Sequence, residues 1–496
     1  MVHTFTCAGQ RLALDVGSGA LHHLDDLAYR VVSLYETHSL EQMVQVLAEY
    51  PAQEVEECYQ EVEALKEKGE LFTPLDDNEQ TIDDNGIVKA LCLHVAHDCN
   101  LRCGYCFAST GGFDGTRCLM PYEVGKKALD FLVAHSGKRV NLEVDFFGGE
   151  PMMNFDVVKR IVAYGRELEK THNKKFRFTI TTNCYDVPAD APDFCDREMH
   201  NVVLSLDGRK NVHDAVRPVH GGGGSYDRAV ENARKLVAHR QDKDYYARGT
   251  FTKRNLDFAE DAEALFDAGF EHISIEPVVL EKGHPLAITE EDLPGIEAEY
   301  ERLMLNVYKR KKEGRPYNFF HFMIDLSGGP CLRKRLSGCG AGREYMAVTP
   351  EGDLYPCHQF VGREQYRIGN LDDESLDESV RDRFLDNHVG KKEACRTCWA
   401  QYLCAGIERD GKKLSIWQFL VFFKRYLTKY YNNVTIRLAQ WALGRAERMR
   451  AHETTKICAD ERVHAGGCAF GCLYACRGGD GCGGLFVHPR IAFYTT

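Results

Sequence analysis

The 496-residue chain lacks any apolar run long enough to span a bilayer, for which about 20 residues are needed. Its most apolar stretch, SIWQFLVFF at 415–423, is half that length and runs into Lys424 and Arg425. The chain also lacks an N-terminal pairing of a basic segment with an apolar one, so no signal peptide is read and a cytoplasmic location is expected. Basic excess is missing too. The formal charge is −12, which argues against a general nucleic-acid binder. Cysteine is absent from 196–330 although the chain holds 20, and six fall within 331–404. In a reducing compartment such clustering favours metal or redox centres over disulfides.

A smaller absence is the most informative. HDCNLRCGYCFA, residues 97–108, brings Cys99, Cys103 and Cys106 together with no fourth cysteine beside them. Structural zinc takes four protein ligands. Three thiolates spaced CxxxCxxC can instead wrap an iron–sulfur cube and leave one iron open to a ligand.

The chain divides by pattern. Residues 1–72 read as three short strands followed by three helices, a winged-helix-like module with Ser39 and Gln42 as a capping box. An acidic, turn-rich linker occupies 73–87. From 88 to 315, six strands (ALCLHVAH, RVNLEVDFF, FRFTITTN, NVVLSLDG, YYARGTFT, HISIEPVV) alternate with helical segments. That alternation predicts an α/β fold, a partial (β/α)6 TIM-like barrel with its site at the carboxyl ends of the strands. Residues 316–406 form a cysteine-rich, loop-like module. The tail, 407–496, reverses the sign of the body: from residue 409 on, 14 Lys and Arg face 6 Asp and Glu.

The spacing of Cys99, Cys103 and Cys106, with Tyr105 before the third, resembles the radical S-adenosylmethionine (SAM) superfamily. The resemblance implies a [4Fe–4S] cluster on those thiolates and SAM chelated to the open iron, reductively split to a 5′-deoxyadenosyl radical. FFGGEP at 146–151 resembles the family's segment that receives the SAM amino group, which implicates Gly148, Gly149 and Glu150. SLDG at 205–208 is similar to its ribose-binding turn, making Ser205 the candidate there. Arg217, in HDAVRP, suits the SAM carboxylate through its planar fork, a surface ion pair being the alternative. TTN at 181–183 and IEP at 275–277 are expected to line the same pocket, and Cys92, Cys184 and Cys195 to be buried thiols.

Cys339, Gly352 and Cys357 fit Cx12Gx4C, and Cys395, Cys398 and Cys404 fit Cx2Cx5C. Together they resemble the SPASM extension of peptide-modifying radical SAM enzymes, which holds up to two auxiliary [4Fe–4S] clusters. Cys331, Cys339 and Cys357 would serve the first, and Cys395, Cys398 and Cys404 the second. The pattern then calls for a cysteine where Glu408 stands, so full loading is in question. Five tail cysteines (Cys458, Cys468, Cys472, Cys476, Cys482) could compensate, although a foreign replacement of the tail is the preferred reading.

The N-terminal module resembles a RiPP recognition element, which captures a precursor's leader peptide on a sheet edge. Acidic helices such as EQMVQVLAEYPAQEVEECYQEVE would repel DNA. Over 1–406, segments such as VDFFGGEPMMNF and GGPCLRKRLSGCGAGREYMAVTPEGDLYPCHQFVG resemble maturases of six-cysteine (SCIFF) peptides. The resemblance implies thioether cross-links between Cys sulfur and an acceptor carbon, often of Thr. It further implies a Cys-rich precursor with a leader as partner, and reduced ferredoxin or flavodoxin as electron donor. Two other readings stay open: another SPASM enzyme, such as an anaerobic sulfatase maturase, and an iron–sulfur redox-sensing regulator.

Overall fold

The computed structural model describes residues 1–7, 10–75, 86–240, 243–281, 283–323, 340–373, 375–386, 388–399 and 401–404. The expectations for Cys331, Cys339, Glu408 and the tail lie outside these residues. So does most of the linker. Of Cys404 only the backbone is described.

At the N-terminus, β1 (Val2–Cys7), β2 (Gln10–Asp15) and β3 (Leu21–Leu24) form an antiparallel meander with β2 central. Three helices follow: α1 (Asp26–Leu34), α2 (Leu40–Val46) and α3 (Ala52–Glu67). Asp25 caps α1 by accepting from the Ala28 amide at 2.8 Å. Ser39 and Gln42 close the capping box of α2 in both directions. Ala13, Val31, Val32, Met43, Leu47, Val55, Val62 and Leu71 make this module's own core.

Among the described residues the second sheet holds ten strands. Six of them lie side by side in chain order and all parallel: β4 (Ala90–Ala96), β5 (Asn141–Gly148), β6 (Lys175–Thr182), β7 (Met199–Ser205), β8 (Asp244–Phe251) and β9 (His272–Pro277). β4 is buried at every position, as a parallel strand covered on both faces must be. The crossover helices expected from the sequence form as α4 (Tyr122–His135), α5 (Phe155–Thr171), and, further on, Tyr226–Val237 and Phe258–Asp267. In α5, Val158, Ile161, Val162, Gly165 and Leu168 are buried at helical spacing and pack on the sheet. Gly165 is needed there, since a Cβ would sit 2.7 Å from the Phe178 ring.

Four further strands were not legible in the sequence. β10 (Asn318–Phe319) extends the sheet beyond β9, and β11 (Tyr345–Val348) runs parallel to β4. β12 (Asp353–Tyr355) and β13 (Gly369–Asn370) follow antiparallel. The cysteine-rich module is thus hydrogen-bonded to the first barrel strand. It also meets the N-terminal module. The His3 ring stacks on Trp399 at 4.2 Å between centroids, and Trp399 packs with Phe5, Leu12 and Leu14. No helix among the described residues is long and apolar enough to cross a membrane.

Candidate active site

The three clustered cysteines lie on the loop leaving β4, and main-chain bonds hold that loop on both sides. On one side, the Gly149 amide donates to Ala96 O at 2.7 Å and the Glu150 amide to Asp98 O at 2.8 Å. These contacts leave no room for side chains. A Cβ on Gly149 would fall 2.0 Å from Asp98 O, and one on Gly148 (φ +124°) 2.3 Å from Ala96 O. On the other side, Arg102 N donates to Pro218 O and Gly104 N to Val216 O, both at 2.8 Å, while His220 N donates to Asn100 O at 2.9 Å. The GGE and RPVH segments therefore clasp the cysteine loop between them.

The clasp brings distant residues around one open-mouthed cavity. Its lining includes Cys99, Cys103 and Cys106, Gly148, Gly149 and Glu150, Thr181–Asn183, Ser205 and Arg217. The eight candidate cluster and cofactor residues share the one cavity, together with the expected TTN segment. IEP does not join them. Glu276 is turned into a separate contact, accepting from Ser274 Oγ and paired with His321, both at 2.8 Å. Two β8 residues, Arg248 and Thr250, line the cavity instead.

Arg217 is buried, which removes the surface ion pair from consideration. Its Nη1 donates to Tyr105 Oη at 2.7 Å, and Tyr105 donates to Asp207 Oδ2 at the same distance. Asp207 also accepts from the Thr250 amide at 3.0 Å. Arg217 Nε is buried with no partner among the described residues, a donor available to a bound anion. The Glu150 carboxylate accepts from Met152 N, Thr182 Oγ1 and Asn183 N at 2.7–3.0 Å. Burial nevertheless pushes its pKa up to about 7, so desolvation outweighs the three donors.

Burial raises the thiols as well, Cys99 to about 12 and Cys103 to about 11. Iron in a cluster deprotonates the sulfur it coordinates outright, so raised pKa values at Cys99 and Cys103 are no obstacle to ligation. Asn183 Nδ2 approaches Cys99 Sγ at 3.6 Å, a weak donor contact. The donor set, the glycine edges and the unpartnered Arg217 nitrogen fit a cluster with a bound zwitterion.

Asn183 belongs to the expected TTN segment, whereas sequence reading missed Asp207 and Arg248 as parts of this site. Arg248 carried a signal, being a lone charge in the otherwise uncharged strand interior YYARGTF. Cys92, Cys184 and Cys195 are buried as expected.

Cys357 is buried where the auxiliary module meets the barrel, in one cluster with Cys92, Tyr345 and Phe360, against which Cys106 and Phe107 pack. Cys395 and Cys398 fall in and just after a short helix, Glu393–Arg396, beside Trp399. Cys357 and Cys395 thus pack in different apolar clusters.

Residues 93–250 match the family model of the Radical SAM superfamily, and residues 339–399 that of the SPASM iron–sulfur cluster-binding domain. Mycofactocin maturase MftC of Mycolicibacterium smegmatis is 26% identical over 294 residues, 58% of this chain and 69% of that protein. A cysteine-type anaerobic sulfatase-maturating enzyme of Clostridium novyi is 23% identical over 339 residues, 64% of this chain and 86% of that protein. Among solved structures, native anSMEcpe with bound AdoMet and the Cp18Cys peptide superposes with a TM-score of 0.56. It is 18% identical and covers 71% of this chain and 99% of its own, a likeness of fold. The chain carries radical SAM and SPASM domains, and these imply a [4Fe–4S] cluster, SAM and auxiliary iron–sulfur clusters.

Proposed function

We propose that this radical SAM enzyme is the maturase of a ribosomally made, Cys-rich peptide, and that it forms thioether cross-links between Cys sulfur and an acceptor carbon. The observation that carries the reading is the single cavity in which three thiols share walls with Glu150, Ser205 and Arg217. The domain order supports it, as do relatives whose names are those of maturases.

When bound, SAM and the clusters would supply the one-electron chemistry: hydrogen abstraction from the acceptor carbon and an outlet for the surplus electron as a deprotonated Cys sulfur bonds that carbon. The chain's residues do the rest. Cys99, Cys103 and Cys106 would hold the cluster. Gly148 and Gly149 let main chain approach the methionyl end of SAM. Glu150 offers a buried carboxylate to its ammonium. Arg217 meets its carboxylate, and Ser205, at the end of β7, meets the ribose. Cys357, with Cys331 and Cys339, would hold one auxiliary cluster, and Cys395, Cys398 and Cys404 the other. Residues 1–72 would capture the leader.

The test is co-expression with a short precursor bearing six clustered cysteines, read by mass spectrometry. Each cross-link removes two hydrogens. Cys99→Ala is expected to abolish SAM cleavage and cross-linking together. Cys357→Ala is expected to cleave SAM without product. Formation of formylglycine on a sulfatase peptide, with no mass loss on the Cys-rich precursor, would replace this reading with that of a sulfatase maturase.

A further inference from the structure

A second set of ligating side chains lies outside the cavity. One ring nitrogen of His97, Cys118 Sγ and a Glu351 carboxylate oxygen all fall within 4.8 Å of one another. We propose that they form a mononuclear metal site that takes one zinc ion with an open fourth position, between the loop after β4 and the turn between β11 and β12.

The framework is built before any ion arrives. The His97 amide donates to Cys118 O at 2.8 Å, and Ala96 bridges antiparallel to Leu119. The buried Asn154 amide ties Val95 O and Met120 O at 2.8 and 2.9 Å, so the Cys118 segment is pinned along the end of β4. Glu351 sits on a tight turn closed by Gly352 N to Thr349 O at 3.0 Å, with Gly352 at φ +89°. Asn370 Nδ2 holds the Glu351 carbonyl at 3.2 Å. Backbone from two separate modules thus fixes three ligand positions.

The imidazole is already oriented. His97 Nε2 meets His94 Nδ1 at 3.1 Å, which leaves Nδ1 of His97 as the ligating atom. Metal-bound histidines commonly donate their other ring N–H to a hydrogen-bond acceptor, a place His94 Nδ1 can fill here. His94 is fully buried, and Phe113 covers both rings at 4.5 and 4.6 Å.

The donor chemistry selects the ion. One thiolate, one imidazole and one carboxylate suit borderline zinc, whereas calcium and magnesium take oxygen ligands. A single cysteine cannot carry an iron–sulfur cube. Zinc bonds of about 2.0–2.3 Å place neighbouring ligand atoms roughly 3.5 Å apart. Cys118 Sγ and Glu351 Oε1 already stand at 3.2 Å, as thiol donor and carboxylate acceptor. On binding, the thiol proton leaves to solvent, and the sulfur and oxygen bond the ion in place of each other. His97 is buried but Glu351 is exposed, so the site has an entry path and room for water as a fourth ligand.

The full-length, cluster-loaded protein is dialysed against zinc and assayed for zinc and iron by mass spectrometry. Wild type is expected to retain about one more zinc per chain than Cys118→Ala, at equal iron. Glu351→Gln, an exposed change, is expected to weaken zinc affinity at least 10-fold in competition with a chelator. Zinc-edge absorption of wild type minus Cys118→Ala should report one sulfur among nitrogen and oxygen ligands. Zinc content equal in wild type and Cys118→Ala, or affinity unchanged in Glu351→Gln, would overturn the site and leave a thiol–carboxylate hydrogen bond. Any zinc held by tail cysteines cancels in the difference.

Discussion

The Tyr105 hydroxyl sits between Arg217 and Asp207, accepting from the guanidinium and donating to the carboxylate, each at 2.7 Å. Arg217 and Asp207 themselves stand 3.7 Å apart at their closest, with the Asp207 side chain fully buried. The aromatic residue inside the cysteine motif therefore links the cluster loop to the cation across the cavity. Under the proposed function Tyr105 is a positioning residue: it would act on a cofactor's carboxylate only through Arg217.

Tyr105→Phe keeps the ring and removes this mediator. A buried charge left with a missing hydrogen bond costs about 1–3 kcal/mol. The expected result is a 10- to 100-fold rise in the SAM dissociation constant with an unchanged cluster absorption spectrum. Loss of the cluster itself would mean that Tyr105 supports the loop rather than the arginine.

Gly149→Ala tests the clasp on the other side of the loop. Its Cβ would meet backbone, Asp98 O, at 2.0 Å, so the strand end must separate from the cysteine loop. Overpacking of this kind costs about 1–3 kcal/mol. Iron analysis should show one cluster's worth of iron lost while the auxiliary iron remains.

Glu143 gives a pH prediction away from the cysteines. Buried in β5, it is raised to about 8, first by desolvation and then by Asp145, against the pull of Lys89. The folded pKa lies above the unfolded one, so the folded protein holds a proton that the unfolded chain has released. Stability then falls as pH rises from about 4.5 to about 8, by an amount on the order of a few kcal/mol. Glu143→Gln should flatten this dependence. Its Tm gain over wild type should be small at pH 5 and largest near pH 8, and an equal shift at both would refute the assignment.

Deleting residues 1–72 should weaken binding of a leader-bearing peptide, measured by fluorescence anisotropy, while SAM cleavage persists. Trp399 packs against Phe5, Leu12 and Leu14, so the deletion also bares an apolar patch. Iron content must therefore be checked alongside. Undiminished leader affinity would end the recognition role of this module.

Much of this was legible because the signals are local. β4 shows as an unbroken apolar run, and α4 begins and ends at Tyr122 and His135, where its amphipathic pattern does. A capping box needs only residues three apart. β10 and β11 escaped because strands of two and four residues carry too little periodicity to stand out, and both are strands only by virtue of a neighbour. IEP was placed in the cavity by its position at a strand end, but the Glu276 carboxylate is taken by Ser274 and His321.

By itself, the sequence determined the chemistry: three thiols at loop spacing, a glycine pair after a strand, and a field of cysteines further on. These depend on residue type and short separation, which a chain cannot conceal. Only the tertiary structure decided which residues serve that chemistry. Parallel strands bring their carboxyl ends together whatever their distance in the chain, and so Arg217, Asp207 and Arg248 reach Tyr105 and Cys103 from more than a hundred residues away. The same packing laid Glu351 beside His97 and Cys118, a meeting that no spacing in the sequence announces.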